Sequence, residues 1–97
     1  MSTETGRAAT ASASRYLQQL AKHWAHNNEV TFDARSADIA LRGNRVQMRA
    51  EPDALFAILT TGAEGDPIRL RQVFEDHINR FAFREAPLPF EWGEAAA

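Results

Sequence analysis

Residues 29–60, EVTFDARSADIALRGNRVQMRAEPDALFAILT, decide the fold. Val30 and Phe32 alternate with Glu29, Thr31 and Asp33, and after the polar break Ala34-Arg35-Ser36, Ile39 and Leu41 alternate with Asp38, Ala40 and Arg42. A period of two belongs to strands with one apolar face. Gly43-Asn44 reads as a two-residue hairpin turn, because glycine reaches positive φ without steric cost and asparagine tolerates it. A third strand follows over Arg45–Ala50 with Val46 and Met48 inward. Glu51-Pro52-Asp53-Ala54 is a turn with proline at its second position, and it leads into a fourth strand, Leu55–Thr60. Four strands on short turns predict an antiparallel meander.

Helices flank the meander. Ala13, Tyr16, Leu17, Leu20, Ala21 and Trp24 recur at the i, i+3, i+4, i+7 spacing of an amphipathic helix, predicted over Ser12–His26 with Thr10 or Ser12 as cap and Asn27-Asn28 as its end. Asp66-Pro67 opens a second helix, Pro67–Ala82, with an acceptor at the N-cap and proline at the first helical position; its stripe is Leu70, Val73, Phe74, His77, Ile78 and Phe81. Leu88, Phe90 and Trp92 alternate as a last strand, and Pro87 and Pro89 place it on an edge. The order α-β-β-β-β-α-β predicts an α+β two-layer sandwich, both helices on one face of an antiparallel sheet of four to five strands. Residues 11–92 form the single domain; the small and polar segments 1–10 and 93–97 are expected to be flexible. Phe56 and Ile58 put apolar groups on the outer face as well, and a homodimer contact is the most economical cover.

Composition narrows the function classes. The 97 residues contain no cysteine, which rules out a disulfide framework, a thiolate metal site and a thiol nucleophile. A net charge of −2 and a pI near 5.9 lack the basic footprint of nucleic-acid binding. No run approaches the roughly 20 apolar residues of a membrane span, and the first ten residues do not read as a signal peptide. A cytoplasmic protein that binds neither nucleic acid nor membrane is the expectation. Arg42, Arg45 and Arg49 cluster near the hairpin, with Asp33 and Asp38 on the same face, and read as a mixed-charge surface.

Histidine is the remaining chemical handle. On a helical wheel His23 lies at the edge of the apolar arc beside Tyr16, and His26 lies further round among Arg15, Gln19 and Lys22. His77 falls inside the stripe of the second helix, where an unpaired ring nitrogen would cost about 1–3 kcal/mol; a hydrogen bond to a backbone carbonyl or a contact with the neighbouring helix would satisfy it. His23, His26 and His77 are the candidate metal ligands, although three or more ligands are normal. Glu75 and Asp76 point about 100° apart, cannot form a catalytic pair, and read as a solvated face. No nucleophile elbow, phosphate loop or zinc-protease motif occurs, so no residue is assigned a catalytic role and no cofactor is predicted, a divalent metal staying open.

The segments SRYLQQL-KHW-H and H-x-x-RFAFRE, with the meander between them, resemble a family of small bacterial proteins, domain of unknown function 2218. The matching positions are Ser14, Arg15, Tyr16, Leu17, Leu20, Lys22, His23, Trp24 and His26, then His77, Arg80, Phe81, Phe83, Arg84 and Glu85. Relatives often carry cysteine where this chain has Ala21. The resemblance implies an association with siderophore-interacting flavin reductases, and hence an accessory role in iron or siderophore handling. The expected function is a small non-enzymatic binding or accessory protein, with His23, His77, Tyr16, Arg80 and Arg84 as ligand-binding residues. The alternative is a small metal-dependent or hydrolytic enzyme using His23 and His77; the two separate on whether those histidines share a pocket.

Overall fold

The chain turns its corners where backbone chemistry allows. In the computed structural model, which describes residues 2–94, the elements are β1 (Ser2–Ala9), α1 (Ala13–Trp24), β2 (Glu29–Phe32), β3 (Ser36–Leu41), β4 (Asn44–Glu51), β5 (Ala54–Thr61), α2 (Pro67–Phe81) and β6 (Glu91–Glu94). Leu41 pairs with Asn44, so the hairpin turn is Arg42-Gly43, one residue earlier than predicted, with φ of 51° and 83° at its two corners. Positive φ at both is what a tight hairpin that follows the strand twist needs. Asn44, released from the turn, ties the hairpin to the loop after β5, where its Oδ1 accepts from the Gly62 N–H at 2.9 Å. Glu51 pairs with Ala54 across Pro52-Asp53, as the sequence indicates.

The sheet has six antiparallel strands in the order β2-β3-β4-β5-β1-β6 rather than four or five. The added strand corrects the reading of the N-terminus as flexible. Ser2–Ala9 pairs along its whole length with β5, and Glu4–Arg7 pair with β6 on the other side, so the backbone ladder holds this segment without an apolar pattern. Its small residues have a reason, since Gly6 and Ala8 are buried beneath side chains that lie over the sheet. The last strand begins later than expected. Leu88 is buried, but its N–H goes to Asn79 Oδ1 at 2.9 Å, and Pro87 and Pro89 have no N–H to offer a ladder. Gly93 and Glu94 belong to β6, not to a loose tail; residues 95–97 lie outside the described residues.

Both helices lie on one face and run antiparallel to each other. All six apolar positions of the α1 arc are buried, over β2 to β5. The side chain of Asp66 caps α2 through the N–H groups of Ile68 and Arg69 at 3.0 and 3.4 Å. Ser12 heads α1 without a side-chain bond, while Thr10 Oγ1 accepts the Ser12 N–H at 3.1 Å. The α2 stripe is narrower than predicted. Leu70, Phe74 and Ile78 are buried, and Val73, His77 and Phe81, spaced by four, are half-buried on the flank that meets α1. Between helices and sheet lie Ile39, Val46, Leu55, Ala57 and Leu59, all at most 1% exposed. Among the described residues no helix is long and apolar enough to cross a membrane.

Candidate functional site

Antiparallel placement of the helices brings His23 of α1 onto His77 of α2, ring centres 5.8 Å apart at an interplanar angle of 40°. Trp24 lies 5.2 Å from His77, and Phe81 meets His23 edge-on at 5.8 Å. His77 is half-buried rather than a core residue, since the space between the helices stays open at its level. Its Nδ1 lies 2.7 Å from the carbonyl oxygen of Val73. A carbonyl can only accept, so this bond assigns the proton of the neutral ring to Nδ1 and leaves Nε2 with a bare lone pair.

From the two rings a cleft of about 560 Å³ runs between the end of α1, the first half of α2 and the β3–β4 turn. Leu41, Leu70 and Val73 give it apolar walls, and Asn27, Asn28 and Asn44 supply amides. Arg42 and Arg69 reach it as well, and neither has an ion partner among the described residues. Arg42 thus leaves the charged cluster in which its neighbours remain: Arg45 Nε donates to Asp38 at 2.8 Å, and Arg49 pairs with Glu51 at 3.0 Å. The left-handed turn is what sends Arg42 elsewhere. Nothing in the local sequence distinguishes Arg42 or Arg69 as a cleft residue, because the contact joins a hairpin to a helix more than twenty residues away.

The other predicted ligand residues do not converge there. His26 is exposed beyond the end of α1; Arg80 and Arg84 are exposed, Arg84 lying over the ring of Phe83 at 5.7 Å. Tyr16 sits at the opposite end of the helix pair, where its hydroxyl donates to the Glu85 carboxylate and Thr10 Oγ1 donates to the same group at 3.0 Å. Glu85 as acceptor, burial of the phenol and the nearby negative charge raise the Tyr16 pKa, in that order. A raised folded-state pKa means that the native state favours the neutral phenol, so this stabilisation is complete below the ordinary tyrosine value of about 10 and is lost as pH climbs through the higher native value. Tyr16→Phe is expected to cost about 1–1.5 kcal/mol at neutral pH. Urea melts above pH 10 should show the gap to wild type closing.

Residues 5–93 match the family described as "Uncharacterized protein conserved in bacteria (DUF2218)". The chain belongs to this family. The NMR structure of PA4090 from Pseudomonas aeruginosa is similar over all of both chains, at 30% identity and a TM-score of 0.78. No curated protein matches. In this DUF2218 chain the two segments that carry the resemblance lie against each other, Tyr16 on Glu85 at one end and His23 on His77 at the other.

The outer face of the DUF2218 sheet is a second feature. Phe56 lies half-buried under the guanidiniums of Arg49 and Arg7, 4.7 and 5.8 Å from its ring centre, and neighbouring Ile58 is 36% exposed. They line a shallow depression of about 550 Å³ with Thr5, Thr31, Asp38 and Gln47. Glu75, read as part of a solvated face, is half-buried and accepts the indole N–H of Trp92 at 2.5 Å.

Proposed function

We propose that the protein is a small-ligand-binding module whose ligand is an amphipathic anion seated in the cleft between α1, α2 and the β3–β4 turn. The observation that carries this reading is that two arginines without ion partners among the described residues, Arg42 and Arg69, line the cleft together with the apolar Leu41, Leu70 and Val73. Arginine forks match carboxylate geometry, and an apolar body beside them would displace water from the walls. Asp66 is the carboxylate lining the cleft, and it is engaged in capping its own helix. His23 and His77 do share this cleft, which the enzymatic alternative requires, but among its lining residues there is no hydroxyl, thiol or lysine nucleophile and no free carboxylate beside them, and this favours binding over hydrolysis. An accessory role beside a siderophore-interacting reductase, which the family resemblance implies, agrees with a ligand bearing carboxylate or phenolate groups.

Salicylate, an aryl carboxylate, is a suitable probe. Titrated into labelled protein in buffer containing EDTA, it is expected to shift the amide signals of Asn27, Asn28, Leu70 and Val73, and Arg42→Gln or Arg69→Gln should weaken binding about tenfold, the equivalent of losing ~1.4 kcal/mol. Shifts scattered over the surface, or unchanged binding in both variants, would overturn the reading.

We also propose that a second copy of the chain covers the outer sheet face. Phe56 and Ile58 form its apolar centre, and Arg7, Arg45 and Arg49 share it with Asp33, Asp38 and Glu91, so a two-fold axis can set each sign against its opposite. Molecular extents of 34 × 29 × 21 Å leave the sheet face room for the roughly 800 Å² per partner of a stable interface. Sedimentation velocity is expected to show a dimer that Ile58→Lys dissociates. A wild-type monomer at all concentrations sinks the idea.

A further inference from the structure

We propose that His23 and His77 together bind a divalent transition-metal ion at the mouth of the cleft. The inference goes beyond the anion reading and does not require it. Three observations carry it. The bond from His77 Nδ1 to the Val73 carbonyl leaves Nε2 as the ring's free donor and holds the ring, which is the outer support that metal-bound imidazoles use. Trp24 braces the same ring from α1. Finally, the 5.8 Å between ring centres suits a shared ion, since imidazoles holding one ion at about 2.0–2.1 Å have centres roughly 5–6.5 Å apart.

The chemistry selects the class of ion. Imidazole nitrogen suits zinc, nickel and copper, whereas calcium and magnesium demand oxygen ligands. Among the described residues no third histidine, aspartate or glutamate joins the pair. The ion would therefore have two protein ligands and open positions for water or an incoming anion, and it would exchange readily, unlike a closed structural site. Repulsion from the cleft arginine on α2 is modest. Arg69 is eight residues from His77, about 12 Å along the helix.

The experiment uses the tag-free full chain and zinc alone, read by calorimetry and by the ring-nitrogen shifts of the histidines. Wild type is expected to bind one zinc per chain saturably, with the His77 Nε2 and a His23 nitrogen moving together. His77→Phe keeps a ring against Trp24 and removes the nitrogens, and His23→Ala removes the second ligand; each should weaken binding at least about tenfold. His26→Ala should bind as wild type does. Absence of saturable binding overturns the proposal, as does a pattern in which His26→Ala abolishes binding and His77→Phe leaves it intact, because that is a surface chelate of His23 and His26. Since zinc is titrated without an organic anion and salicylate in the presence of EDTA, either reading can fail alone.

Discussion

Gly6→Ala is expected to destabilise the protein by about 2–4 kcal/mol, although alanine in a strand is ordinarily favoured over glycine by roughly 0.5–1 kcal/mol. Gly6 stands directly opposite Trp92 in the pairing of β1 with β6, and a methyl group on it would come within 2.6 Å of the indole Cε3 and Cζ3. The half-buried indole is tied to several neighbours. It stacks on Phe90 at 5.3 Å, meets Phe74 edge-on at 5.9 Å, donates to Glu75 and carries Arg71 over its face at 5.4 Å. Moving it breaks several contacts at once and loosens β6, which is an edge strand of four residues. Urea melts followed by tryptophan fluorescence measure the loss. Its cause is tested by repeating the exchange in Trp92→Ala, where it should become neutral or stabilising. An equal cost in both backgrounds would refute the steric account.

Phe74→Ala should have the larger effect, about 3–5 kcal/mol, as for truncation of other fully buried aromatic residues. Phe74 has no exposed surface and lies in edge-on contact with Phe90 and Trp92, at 5.4 and 5.9 Å. Its removal opens a cavity at the seam between α2 and β6. A domain of this kind is stabilised by only about 5–15 kcal/mol in total, so the variant should melt far below wild type or fail to fold at ambient temperature. Phe83, 70% exposed, is the matched control, and Phe83→Ala should stay within about 0.5 kcal/mol of wild type. Equal melts for the two variants would show that the seam is not the core that its burial indicates.

Local order was legible because its causes are local. Each arc residue of α1 has another three or four positions away, and one face buries them all. The meander from β2 to β5 was legible for the same reason: two-residue turns at Arg42-Gly43 and Pro52-Asp53 pair strands that are neighbours in the chain. Even the one-residue error at the first turn left the faces correct, because Val46 and Met48 alternate whichever residue opens the strand.

Position in space was decided by partners far apart in sequence. β1 has no apolar alternation to betray it; it is a strand because Ser2 meets Thr61 and Gly6 meets Trp92, pairings that exist only once the meander and α2 are in place. The glycine that weakens the local signal is the one the indole requires. The cleft follows the same logic. By itself the sequence determined that His23 sits at the edge of one helix and His77 in the stripe of another, since a wheel needs only one segment. That these edges face each other, with Arg42 and Arg69 beside them, was decided by the antiparallel packing of α1 on α2 and by the left-handed turn at Arg42. Side-chain periodicity is a property of a few adjacent residues, whereas a cleft is a property of elements that the chain brings together only after it has folded.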